Sequence, residues 1–170
     1  MVLPGAVTAA DHGNRPGVFY LRPRNVFVHD SYGAVTTGER VQLWSYELTG
    51  EGIRSFAERY DPQGFHLSDN PDGPFGGLVA SGWQTAAVTM RLLVEGYLQE
   101  AHTVGSLGLD GLRWPEPVRP GDRLSATLTL GEKEPFDEGR GLVHQEIETH
   151  NQDDEQVLWV DALTLYPREP

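Results

Sequence analysis

Apolar and polar positions change period several times along this chain, and each change marks an element. Residues 39–48 alternate, with Val41 and Leu43 on one face, which predicts a strand. The period then lengthens: Ile53, Phe56, Ala57 and Tyr60 fall at helical spacing behind Thr49, an N-cap residue. Glu51 sits in the first turn, where negative charge suits the helix dipole. Pro62 and Gly64 stop this helix just past Asp61. A polar loop and the glycine-rich turn 73–77 lead to a second helix starting near residues 80–82. Its Trp83, Ala87, Met90, Val94 and Tyr97 mark one face, and Ala80, Ala86, Leu92, Leu93 and Leu98 leave little of its circumference polar. That pattern predicts a central, buried helix of about 18 residues and roughly 27 Å.

Beyond Glu100 the period is that of strands, over 104–114, 123–130, 142–150 and 157–166. Leu124, Ala126, Leu128 and Leu130 share one face of the second of these. Prolines and glycines at 115–122 mark a turn, and residues 151–155 read as a hairpin turn. Upstream, residues 25–29 read as a short strand. Residues 1–24, rich in Pro, Gly and Arg with an apolar run at 18–21, read as an arm packing on the domain or on a second subunit. The economical arrangement is α+β: an antiparallel sheet wrapped around one long helix. A single domain is expected over residues 36–170, behind an N-terminal arm or extension over residues 1–35.

Composition narrows the setting. Cysteine is absent, which excludes disulfides and thiolate metal sites and fits a reducing, cytoplasmic compartment. The N-terminus lacks the basic and long apolar regions of a signal peptide. Gln84, Arg91 and Glu95 interrupt the longest apolar stretch, so no transmembrane helix is expected. The net charge of −12 argues against nucleic acid and anionic membrane as partners. An anionic ligand would need a local basic patch, for which Arg113, Arg119, Arg123 and Arg140 are candidates.

The stretch from Tyr60 to Leu98 carries the candidate chemistry. Asp61 and His66 flank a turn that brings a carboxylate and an imidazole to one point. His144, Glu146, Glu148 and His150 share one face of a strand, where their spacing matches no closed metal motif and reads as a solvated face. His12, His29 and His102 have no evident partner. Trp83, Met90, Tyr97 and Trp114 are candidates for an acyl channel or for core packing alike.

At Asp61, His66 and the segment 75–91 the sequence resembles the MaoC-like dehydratases, the family of (R)-specific enoyl-CoA hydratases. Phe56-Ala57 precede Asp61 as in that family's hydratase motif, and His66 stands at the matching distance. The helix entry from Phe75 to Trp83, the turn Pro117-Val118-Arg119-Pro120-Gly121-Asp122 and the hairpin at Asn151-Gln152 also resemble it. The likeness covers about residues 40 to 166. Gln63 and Gly64 depart from it, standing where Asn and Pro are usual, and Ser81 stands where many members have His.

The resemblance implies a hot-dog fold and reversible addition of water across a trans-2-enoyl thioester, with no metal or redox cofactor. It implies Asp61 and His66 as the acid–base pair around one water. Gly82, at the start of the long helix, is the expected backbone donor to the thioester oxygen. Ser81, Phe75, Gly77 and Trp83 are expected to contact an acyl-CoA or other acyl-thioester substrate. A homodimer or larger homo-oligomer would cover an edge strand. The competing readings are a hot-dog acyl-CoA thioesterase and a non-catalytic acyl-thioester-binding subunit.

Overall fold

The computed structural model describes residues 18–19 and 29–169. Its alternating segments pair into one antiparallel sheet in the order β1-β2-β4-β5-β6-β3. The strands are β1 (Val18–Phe19), β2 (Arg40–Glu47), β3 (Gly105–Arg113), β4 (Arg123–Pro135), β5 (Arg140–His150) and β6 (Gln156–Pro167). The helices are α1 (Gly50–Tyr60), α2 (Gly64–Leu67) and α3 (Gly82–Leu93), and α3 runs on into a π-helical turn, Val94–Leu98. This is the expected α+β plan, a sheet around one long helix.

The sheet's inner face follows the alternation in the sequence. Leu124, Ala126, Leu128 and Leu130 on β4 are almost fully buried, and Ile147, Leu158 and Val160 continue the layer across β5 and β6. Leu92, Leu93 and Tyr97 of the helix pack into the same core. A smaller cluster under α1 joins Ile53 to Leu48, Leu78, Val118 and Val157. Thr49 caps α1 as expected, accepting from the Gly52 N–H at 3.1 Å. The two turns at the far end of the sheet dock together: Gln152 donates to Asp122, which in turn accepts from the Arg119 N–H at 2.7 Å.

Two expectations need correction. The long helix is not buried all round. Trp83 is 61 % exposed and Met90 52 %, and Ala87 between them is exposed too. A helix lying on one face of a sheet buries only a stripe, and this stripe includes the polar Gln84, Thr85 and Thr89. Tyr97, assigned by helical period to the same face as Trp83, is buried instead. The π-helical turn adds a residue to the last turn and rotates Tyr97 into the core. Of the strand expected at 25–29 only His29 is described, and it is not in a strand. His12 also lies outside the described residues. Among those that are described, packing reaches back to His29 and Ser31, both buried.

Candidate active site

The end of α1, the short helix α2 and the start of α3 meet at one point. Asp61 is the C-cap of α1, its N–H bonded to the Ala57 carbonyl at 2.9 Å. Pro62 ends α1, and the chain re-enters helix at once as α2, so His66 lies on a helical turn rather than in an open loop. Ser81 is the N-cap of α3 and accepts from the Trp83 N–H at 3.3 Å.

These elements bring Asp61, His66, Ser81 and Gly82 together. Asp61 Oδ2 accepts from the Ser81 hydroxyl at 2.6 Å and lies 3.4 Å from His66 Nε2. Asp61 Oδ1 accepts from the Gln63 side-chain amide at 2.8 Å. His66 is buried, and its Nδ1 lies 2.8 Å from the Val79 carbonyl. A carbonyl only accepts, so Nδ1 carries the proton and Nε2 is the nitrogen that faces Asp61. The gap of 3.4 Å is wider than a good hydrogen bond. It leaves Oδ2 and Nε2 free to share a small third group.

The Ser81 hydroxyl, then the Gln63 amide, hold the Asp61 carboxyl below its ordinary value. Partial burial opposes the shift without reversing it. Asp61 is therefore a carboxylate at neutral pH.

The Gly82 N–H, first of α3, has no hydrogen-bond partner among the described residues. It sits where unpaired helix N–H groups and the dipole converge. The space a Cβ would take at Gly82 is not open to a ligand: the Trp114 ring lies 2.7 Å from that point. Trp114 also donates its indole N–H to the Gly82 carbonyl at 2.8 Å. Glycine is thus demanded here by the packing of Trp114, and only the N–H side remains for binding.

The other expected contacts form a rim. Phe75 packs edge-on against Phe65, with ring centres 5.2 Å apart, and Phe65 packs against His66 at 4.5 Å. Gly77 has φ +141°, a backbone shape that suits glycine, and a Cβ there would meet the Asp69 carboxylate at 3.1 Å. Arg119 holds this loop by donating to the Phe75 carbonyl at 2.8 Å. Ser81 is fully buried and spends its hydroxyl proton on Asp61. Trp83 stands out from the helix, edge-on to Trp114 at 5.4 Å. Of the other candidate cations, Arg140 is committed to Asp137, whose Oδ2 accepts from Nη2 at 2.6 Å and from Nε at 2.9 Å.

Sequence reasoning did not find the Gln63 amide, the Val79 carbonyl or the Trp114 indole as parts of this arrangement. Gln63 had a signal, its place two residues behind Asp61. Val79 and Trp114 act through backbone and tertiary approach, which spacing does not reveal.

The remaining histidine cluster lies elsewhere. His144, Glu146, Glu148 and His150 are half-exposed along β5, on the face turned away from the core. His144 Nδ1 pairs with Asp161 at 3.0 Å, and that hydrogen bond raises its pKa. Asp110 joins them, and the three offer ligand atoms within 4.8 Å of one another. This outward-facing ion pair is separate from Asp61 and His66. No helix among the described residues is long and apolar enough to cross a membrane.

Comparison with known proteins identifies the family and the fold. Residues 34–152 match the family model described as MaoC like domain. The chain is 32% identical over 121 residues to 3-hydroxyacyl-thioester dehydratase Z of Mycobacterium tuberculosis, covering 68% of this chain and 79% of that protein. It is 27% identical over 135 residues to the uncharacterized protein YdeM of Bacillus subtilis, covering 78% and 96%. The crystal structure of the MaoC-like dehydratase from Rhodospirillum rubrum superposes with a TM-score of 0.75 at 36% identity, over 82% of this chain and 98% of that one.

Proposed function

The chain belongs to the family of MaoC-like dehydratase domains, with the hot-dog fold, and on that premise we propose that it catalyses reversible addition of water across a trans-2-enoyl thioester. The observation that carries this reading is the pair of acceptors at Asp61 Oδ2 and His66 Nε2, 3.4 Å apart beside an unpaired helix N–H.

Hydration requires a nucleophilic water, a proton for C2 and relief of charge on the thioester oxygen. A water between Oδ2 and Nε2 donates one hydrogen to each, which turns its lone pair toward C3. As the C3–O bond forms, one O–H bond breaks toward the pair and the C2=C3 electrons move onto the thioester as an enolate. The Gly82 N–H and the dipole of α3 stabilise that oxygen. The enolate then takes a proton at C2 from the pair, so the site returns to its starting state. Dehydration is the same sequence reversed. Phe75, Gly77 and Trp83 lie where the acyl group or its carrier, coenzyme A or a carrier protein, would pass.

Residues 36–170 act as the catalytic domain and residues 1–35 as an arm upon it. The pairing of β1 with β2, and a family match that starts at residue 34, support that division. The working unit is a homodimer. β3 is an edge strand with Leu107 and Leu109 each 51 % exposed, and Trp83 and Met90 of α3 are exposed as well. An apolar edge of this kind calls for a covering partner, and a second copy joined edge to edge supplies one. Sedimentation should show a dimer, and Leu109→Lys should shift it toward monomer.

Product analysis tests the activity. Incubation with a short trans-2-enoyl-CoA should yield a 3-hydroxyacyl thioester with no free thiol. Released coenzyme A thiol would instead identify a thioesterase, and binding without turnover a non-catalytic acyl-thioester-binding subunit.

A further inference from the structure

We infer that Gln63 is a positioning residue that holds and polarises Asp61, an inference that rests on Asp61 being the catalytic carboxylate. Gln63 is the N-cap of α2, and its side chain makes no cap there. Its amide turns back instead to Asp61 Oδ1 at 2.8 Å, while its backbone N–H bonds to the Asp61 carbonyl at 2.8 Å. The residue thus grips Asp61 at two points, one on the backbone and one on the carboxylate. Ser81 takes the opposite oxygen. Between them, the two neutral donors fix the carboxylate plane and leave the Oδ2 edge turned toward His66 Nε2. His66 is the titratable group facing Asp61 here; Gln63 and Ser81 are uncharged.

The length of the side chain fits this role. Gly64 opens α2 with no side chain of its own, and nothing lies within 4 Å of where its Cβ would be. Gln63 is exposed, and its extended amide reaches Asp61 Oδ1 from the solvent side. Because it is exposed, its replacement leaves the core intact.

The test compares wild type, Gln63→Ala and the isosteric Gln63→Glu by two readouts: the pH profile of kcat, and the titration of the Asp61 carboxyl carbon followed by NMR in the free protein. The acid limb and the carboxyl titration should both move upward in Gln63→Ala, by about half to one pH unit, the scale of one hydrogen bond to a carboxylate. They should move further in Gln63→Glu, where a second carboxylate replaces the donor. At the plateau the Ala variant should stay within about threefold of wild type. Identical limbs and identical titrations in all three proteins would overturn the inference, as would a loss of rate equal at every pH. The NMR titration needs no turnover. Absence of wild-type activity would therefore count against the hydratase reading alone, while the ranking of the titrations would still decide the role of Gln63.

Discussion

Two buried histidines stand beside a carboxylate, one at each end of the long helix, and they are built for different ends. At the N-terminal end, His66 gives Nδ1 to a backbone carbonyl and leaves Nε2 facing Asp61 across 3.4 Å. At the C-terminal end, His29 contacts Glu39 at 3.0 Å with Nε2 and the Tyr97 hydroxyl at 2.9 Å with Nδ1. Tyr97 passes the network to Tyr166, which accepts from Gln145, which accepts from Thr164. Burial pushes the Tyr97 hydroxyl far above its ordinary range, so it stays protonated. The protein thus takes up both nitrogens of His29, whereas it takes up only Nδ1 of His66 at good hydrogen-bond length. A carboxylate next to an imidazole is not by itself a catalytic dyad; the proposed role of Asp61 and His66 rests on the Nε2 that His66 turns toward Asp61 and on the N–H at the start of α3.

The sharpest way to break this comparison is to neutralise each carboxylate in turn. Asp61→Asn should lower kcat by about 10²- to 10⁴-fold, the usual worth of a general acid–base group. Glu39→Gln should leave kcat within about twofold while lowering the melting temperature. Equal loss of rate in both variants would mean that the two pairs are not functionally distinct.

Gly82→Ala comes next. It should cost about 1–3 kcal/mol of stability through collision with the Trp114 ring, measured by urea unfolding. Combining it with Trp114→Ala should recover much of that loss, because the two residues touch. Recovery of stability without recovery of rate would show that the helix entry needs the indole for more than packing.

Tyr97→Phe probes the His29 end alone. It leaves His29 Nδ1 and the Tyr166 hydroxyl with one partner fewer inside the core, at about 1–2 kcal/mol, with kcat unchanged.

The smallest expected effect is on pH dependence. The folded-state pKa of Asp61 is depressed, so its contribution to stability is present above the ordinary carboxylate value and is lost as pH falls through the depressed one. Ser81→Ala removes the largest cause of the depression. The acid limb of the rate profile should then move up, toward the ordinary carboxylate range.

The fold was largely legible in the sequence because its elements obey local rules. Thr49 and Ser81 cap helices, Pro62 ends one, and the alternation along β4 matches its burial residue for residue. The Asp61–His66 pair was legible for the same reason, since both lie on one short connection between helices. What escaped was set by the third dimension. Apolar Trp83 and Met90 gave no sign of which side of the helix faced the sheet, and no periodicity announces a π-helical turn that swings Tyr97 inward. His29 showed no partner in the sequence because Glu39 and Tyr97 reach it only through tertiary packing. Gly82 was singled out as a backbone donor at the helix entry; that an indole from just past β3 packs against it and demands a glycine there was not legible.

The most direct test of the central claim is the ultraviolet absorbance of a short trans-2-enoyl-CoA, followed with wild type, Asp61→Asn, His66→Ala and Glu39→Gln side by side. Loss of the conjugated-thioester signal with wild type and Glu39→Gln, and not with the other two, is the predicted result. Loss of signal with Asp61→Asn at the wild-type rate would contradict the account.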